Sequence, residues 1–160
     1  MQDTVALYPD TTIINPRGSL EVGGCDLTRL AAKYGTPLYV YDEVTLRNRC
    51  RAYREAFERS YPDCRLLYAS KAFSNPALAR LLHSEGFGFD VISAGELASV
   101  MRGGVPATEL YLHGNNKSRE ELETAISVGI GRVVVDNFHE LDMLQQIAAA
   151  RGVRQDILLR

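Results

Sequence analysis

The sequence predicts an α/β protein built around a parallel sheet, and three observations lead there. Short apolar and β-branched runs recur some two dozen residues apart from residue 37 onward. These runs are apolar at successive positions, as strands covered on both faces must be. Segments with helical spacing separate them, and strands that alternate with helices form parallel βα units.

Residues 1–36 stand outside this repeat. Ile13-Ile14 and Leu20-Glu-Val22, joined through Asn15-Pro-Arg-Gly18, read as short strands of a different module. Asp26 to Tyr34 reads as a lead-in helix with Asp26 as its cap. The first strand of the repeat is Pro37–Tyr41, followed by a helix with Leu46, Cys50, Tyr53 and Phe57 on one face and Arg47, Arg51, Arg54 and Glu58 opposite. Arg65–Ala69 is the next strand, and Asn75-Pro76 opens the next helix, a cap followed by proline at the first helical position. Phe89–Ile92, Leu110–Leu112, Arg132–Val135 and Asp156–Leu159 complete the strands. Ser93-Ala-Gly-Glu96 and Ser118-Arg-Glu-Glu121 have capping-box spacing, and Gly86, Gly103-Gly104 and Gly129 stand where helices should stop. The last helix, Asn137–Arg151, offers Leu141, Leu144, Ile147 and Ala148 to the sheet.

At 160 residues, 46% hydrophobic and 24% charged, the chain has the composition of a soluble globular domain. A net charge of −2 and the lack of any long basic run exclude a nucleic-acid footprint. No apolar stretch is long enough to span a membrane, and Met1–Pro16 lacks the basic start and apolar run of a secretory leader. Three cysteines, Cys25, Cys50 and Cys64, form no CxxC pair, which points to reduced thiols and a cytoplasmic location. His83 and His139 stand at no ligand spacing to His113, so no metal site is expected.

Two architectures fit the repeat: a doubly wound open sheet and a (β/α)8 barrel. No βα turn carries GxGxxG, which weakens the dinucleotide-binding version. A barrel needs eight strands and about 250 residues. About six strands are legible and Arg160 ends the last of them, so an incomplete barrel, part of a longer protein, is expected.

In both architectures ligands gather at the carboxyl ends of the strands. Those positions hold Asp42, Ser70-Lys71, Asp90 with Ser93, His113 to Lys117, Asp136 and Arg160. Lys71 is the most informative. An amine held against an apolar wall loses solvation, so its pKa falls and the neutral form can condense with an aldehyde. Asp90 interrupts a strand that otherwise reads Phe-Asp-Val-Ile, where a carboxylate is costly without a partner. It also fits as a turn residue after Gly86 and Gly88. Glu96 fits equally as the closing residue of a capping box with Ser93.

Read together, Tyr68-Ala-Ser-Lys-Ala72, Gly88-Phe-Asp-Val-Ile-Ser93 with Gly95-Glu96, His113-Gly-Asn-Asn-Lys-Ser118 and Val134-Val-Asp136 resemble the pyridoxal phosphate-dependent decarboxylases of the alanine-racemase fold. Thr36-Pro-Leu-Tyr-Val-Tyr-Asp42 is also typical of them. The HGNNKS stretch resembles most closely the branch acting on diaminopimelate, since branches acting on ornithine and arginine tend to differ there. The resemblance spans nearly the whole chain and corresponds to roughly the amino-terminal two fifths of such an enzyme.

That resemblance implies a barrel of the alanine racemase type over residues 37–160. Residues 1–36 would add strands to a separate β domain otherwise built from the carboxyl-terminal half. It implies pyridoxal 5'-phosphate as cofactor, carried on Lys71 as a Schiff base. Asp90 and Glu96 would line the cofactor side of the barrel mouth, and Arg160 would approach the phenolic oxygen. His113 and Asn115 would stand at the next strand end or in the loop over the site. The expected reaction is decarboxylation of meso-2,6-diaminopimelate to L-lysine by a homodimer with shared active sites. The partner is a small amino-acid substrate, with neither nucleic acid nor membrane. A related decarboxylase acting on ornithine, arginine or carboxynorspermidine is the alternative, and a non-catalytic pyridoxal-binding regulator is a second. The phosphate-binding loops and substrate-carboxylate arginine of the family lie in later segments, so residues 1–160 alone should neither hold the cofactor tightly nor turn over substrate.

Overall fold

The computed structural model describes residues 7–160; residues 1–6, the start of the segment inspected for a leader, lie outside the described residues. The chain divides into two compact units, residues 1–62 and 63–160. The first therefore holds residues 37–62 together with the amino-terminal module.

In the first unit, β1 (Ile13–Ile14), β2 (Leu20–Val22) and β3 (Cys25–Asp26) form an antiparallel sheet in that order, with Ile14 opposite Leu20 and Val22 opposite Cys25. The β1–β2 turn is held by Asn15, whose Oδ1 accepts from the backbone N–H groups of Arg17 and Ser19. Asn15 Nδ2 donates to Asp26 Oδ2 at 3.1 Å, while Asp26 Oδ1 caps helix α1 (Leu27–Tyr34) by accepting from Thr28 and Arg29. The Thr28 hydroxyl, ahead of those backbone and Asn15 bonds, lowers the Asp26 carboxyl to about 2. One buried aspartate thus joins turn, strand and helix.

The expected strand Pro37–Tyr41 is not formed: the segment is irregular, and Tyr39 is 87% exposed. Strand propensity needs a neighbouring edge to be realised, and no ladder among the described residues includes these positions. Asp42, taken as a strand-end ligand position, is instead the cap of α2 (Glu43–Glu58), accepting from the Thr45 backbone at 3.0 Å. Along α2, Cys50 is buried as expected, but Tyr53 and Phe57 are exposed.

The second unit carries a five-stranded sheet of β4 (Leu67–Ala69), β5 (Gly88–Val91), β6 (Leu110–Leu112), β7 (Arg132–Val135) and β8 (Ile157–Leu159). Every neighbouring pair is parallel, and spatial order equals chain order. That order distinguishes the two architectures. A doubly wound sheet reverses direction at a switch point, whereas a barrel adds each strand beside the last. The sheet is an arc of a barrel, with one strand fewer than the six expected.

Helices α3 (Pro76–Ser84), α4 (Ala94–Arg102), α5 (Arg119–Ser127) and α6 (Phe138–Arg151) connect the strands. Asn75, Ser93 and Ser118 cap their helices as expected, and Asn137, where the last helix was expected to begin, does so too, each accepting from the third following backbone N–H. Phe89, Val91, Leu110, Leu112 and Val133 are almost wholly buried, together with Leu122 and Ala125 of α5. Each large apolar side chain so removed from water contributes about 1.5–3 kcal/mol. Gly131 permits the approach of chain segments before β7: a Cβ there would lie 2.2 Å from the Thr108 carbonyl oxygen.

Candidate active site

The carboxyl ends of β4 to β8 bring the expected residues to one edge of the sheet. β4 runs directly into a 3-10 turn, Ser70–Ala72, that carries Lys71. The Tyr68 hydroxyl spans the turn by donating to the Phe73 carbonyl at 3.0 Å, and Ser70 is 1% exposed beneath it. Lys71 projects outward. Among the described residues its amine makes no hydrogen bond or ion pair, and the side chain is exposed. This corrects the expectation of a dry amine: the described residues position Lys71 but raise no apolar wall around it.

Asp90 lies one strand away, level with Ala69 on β4 and Tyr111 on β6. Alternation along β5 turns Phe89 and Val91 to the buried side and Asp90 to the other face. Its Oδ1 is buried without a hydrogen-bond partner. Burial pushes its carboxyl above the usual range; His113 and Lys71 oppose the rise electrostatically, and Glu96 adds to it. Lys71, Asp90, Glu96 and His113 thus share one electrostatic neighbourhood. An unpartnered buried oxygen there is costly for stability alone.

The raised value gives a prediction. Folded Asp90 keeps its proton to higher pH than unfolded Asp90, so its effect is absent below the ordinary carboxylate range near 4. Stability is then lost as pH rises from there through the raised value. Asp90→Asn is expected to raise stability at neutral pH and to leave it unchanged at pH 3, read by urea unfolding at both pH values. Destabilisation at neutral pH would mean the carboxylate has a stabilising partner.

Glu96 does only part of what its spacing suggested. Ser93 Oγ accepts from the Glu96 backbone, but Glu96 Oε2 accepts from Ile92 N at 2.9 Å, one residue before the cap. Ser118–Glu121 forms the complete reciprocal box. His113 continues β6 by donating its backbone N–H to Val91 O at 2.8 Å. The following loop turns through Gly114 (φ 96°) and Asn116 (φ 56°), with Asn115 exposed. Arg160 is anchored at both ends: its backbone N–H donates to Val135 O at 3.0 Å and its Nη1 to Asp136 Oδ1 at 3.1 Å. A cavity of about 180 Å³ beside this pair is lined by Asn137, Phe138 and Leu159 among others.

Two contributions escaped the sequence reading. Asp136 acts as the anchor of Arg160, which only the meeting of two strand ends could reveal. Lys117, read only as one of the residues at the end of β6, is buried against Glu140 at 2.7 Å. Glu140 stands three residues after Asn137 and reads simply as a first-turn acid.

Fold and site define a class: a (β/α)-barrel protein with a lysine and an acid at adjacent strand ends. The family described as "Pyridoxal-dependent decarboxylase, pyridoxal binding domain" matches residues 44–160. The chain belongs to that family. Its curated relatives include a diaminopimelate decarboxylase of Bacillus methanolicus, 48% identical over 153 residues, covering 96% of this chain and 35% of the relative. Another, from Bacillus subtilis, is 47% identical over 146 residues, covering 91% and 33%. Among solved structures, diaminopimelate decarboxylase from M. jannaschi superposes with a TM-score of 0.85 at 34% identity, covering 96% of this chain and 36% of that one. A lysine/ornithine decarboxylase from Vibrio vulnificus complexed with cadaverine gives 0.68 at 28% identity, covering 84% and 35%. The chain spans about a third of the length of these proteins.

Proposed function

We propose that this chain is the cofactor-holding segment of a decarboxylase that converts meso-2,6-diaminopimelate to L-lysine, working as a cytoplasmic homodimer. One observation carries the reading: an amine without a partner and an acid with an unsatisfied buried oxygen occupy adjacent strand ends, on a chain up to 48% identical to diaminopimelate decarboxylases. Those groups fit pyridoxal phosphate. When bound, it supplies an aldehyde for amine condensation and a ring that accepts the electrons released as CO₂ leaves.

The chain's own residues have distinct tasks. Lys71 would hold the group through its Nζ, as the condensation of an amine with an aldehyde loses water, and its ammonium form, when released, would be a proton donor beside the product. Asp90, kept protonated to higher pH than usual by burial, holds or yields a proton beside that amine. His113 adds a titratable group on the neighbouring strand. Arg160, held by Asp136, presents a cation suited to an anionic ring oxygen. Glu96, engaged with Ile92 N, fixes the turn after β5. Covering Lys71 so that its amine is neutral falls to segments found in the longer relatives.

A decarboxylase acting on ornithine, arginine or carboxynorspermidine is the alternative, and curated relatives 47–48% identical that are named diaminopimelate decarboxylase favour diaminopimelate. Product analysis of the full-length protein with each substrate tests the choice. L-lysine and CO₂ from diaminopimelate are expected. Putrescine or agmatine as the preferred product would overturn the substrate, and cofactor binding without CO₂ release would overturn the enzyme.

A further inference from the structure

The carboxyl edge of the sheet is split between β6 and β7. These strands pair at Tyr111 with Arg132 and at Leu112 with Val133, and then part. β6 stays bonded to β5 through His113 N–H and Val91 O, so the His113 side of the edge moves with β5. β7 stays bonded to β8 through Arg160 N–H and Val135 O, so the Arg160 side moves with β8. Lys117 closes the gap between them. Its Nζ donates to Gly114 O at 2.6 Å on the first side, and to Val134 O and Glu140 Oε1, each at 2.7 Å, on the second. Three ammonium protons meet three acceptors, with the Lys117 and Glu140 side chains 2% and 3% exposed. Gly114 and Asn116, both at positive φ, turn the loop back so that this side chain can enter.

We propose that Lys117 is a positioning residue for the pyridoxal site: its ammonium sets the spacing between the Lys71–Asp90–His113 side and the Asp136–Arg160 side of the strand ends. A lysine serving only the core would need no acceptor on the diverging loop. Here one proton goes to the loop after β6, one to β7 and one to the helix behind, so loss of the amine frees the loop next to His113. The inference rests on the pyridoxal reading above.

The test uses the full-length protein with both members of the pair exchanged, Lys117→Met with Glu140→Leu, because apolar replacement of a whole buried pair leaves the fold stable where removal of one charge does not. Cofactor-free parent and double variant are titrated with pyridoxal phosphate, and the visible absorbance of the bound cofactor is followed against pH. The double variant is expected to unfold cooperatively, to bind about tenfold to a hundredfold more weakly, and to show a pH midpoint moved by at least about 0.5 unit as the Arg160 cation shifts relative to the Lys71–Asp90–His113 side. A midpoint equal to that of the parent overturns the proposal, and so does a double variant that no longer folds, which would make the pair a core element only. A parent that binds no pyridoxal phosphate fails earlier, at the functional reading itself.

Discussion

Alanine in place of Lys71 is expected to lower decarboxylation by the full-length protein at least about 10³-fold while changing its stability by no more than about 0.5 kcal/mol. The contrast follows from the turn that bears it. Ser70 is buried and the Tyr68 hydroxyl bonds Phe73 across the turn, so the backbone is held without help from the Lys71 side chain. That side chain is exposed and, among the described residues, bonded to nothing. Its removal takes away a reactive amine and almost no packing. Turnover measured beside urea unfolding checks both halves. A variant that lost activity and stability together would show that Lys71 is structural.

Lys117→Met alone is expected to destabilise the protein by about 3–5 kcal/mol. It leaves Glu140 buried with a carboxylate whose Oε2 already has no partner, and it strips the Gly114 and Val134 carbonyls of a donor. The cost of a buried, uncompensated charge dominates such a change. Adding Glu140→Leu should restore most of the loss, since the desolvated anion is then gone. A single variant within about 1 kcal/mol of the parent in urea would mean that water reaches the pair.

How far the sequence carried this account depends on how local each signal was. Asn75, Ser93, Ser118 and Asn137 cap helices because the capping bond closes within three residues, and the sequence displays all of it. The strands β6 and β7 were legible because their apolar runs are buried at successive positions, and β4 and β8, only partly buried, because they carry the same apolar runs. Pro37–Tyr41 has the same composition but pairs with no strand, and propensity without an edge makes no ladder. Glu96 has capping-box spacing, yet its carboxylate reaches Ile92, a choice decided by a rotamer.

The site divides along the same line. Residue types at strand ends located Lys71, Asp90, His113 and Arg160, because βα topology sends every strand end to one edge. Their environments were not legible. Whether Lys71 is dry depends on what covers it, and nothing in Tyr68–Ala72 encodes that. The pairing of Arg160 with Asp136 spans two strands, and that of Lys117 with Glu140 joins a polar loop to a helix 23 residues on. Neither pairing is visible until the sheet brings the partners together.

The central claim, that Lys71 is the amine that holds the cofactor, is tested most directly by trapping. Full-length protein loaded with pyridoxal phosphate is reduced with borohydride, digested and mapped by mass. A stable pyridoxyl label is expected on the peptide containing Lys71, with Lys33 and Lys117, the other lysines of these 160 residues, unlabelled. A label on any other lysine, with Lys71 unmodified, would contradict it.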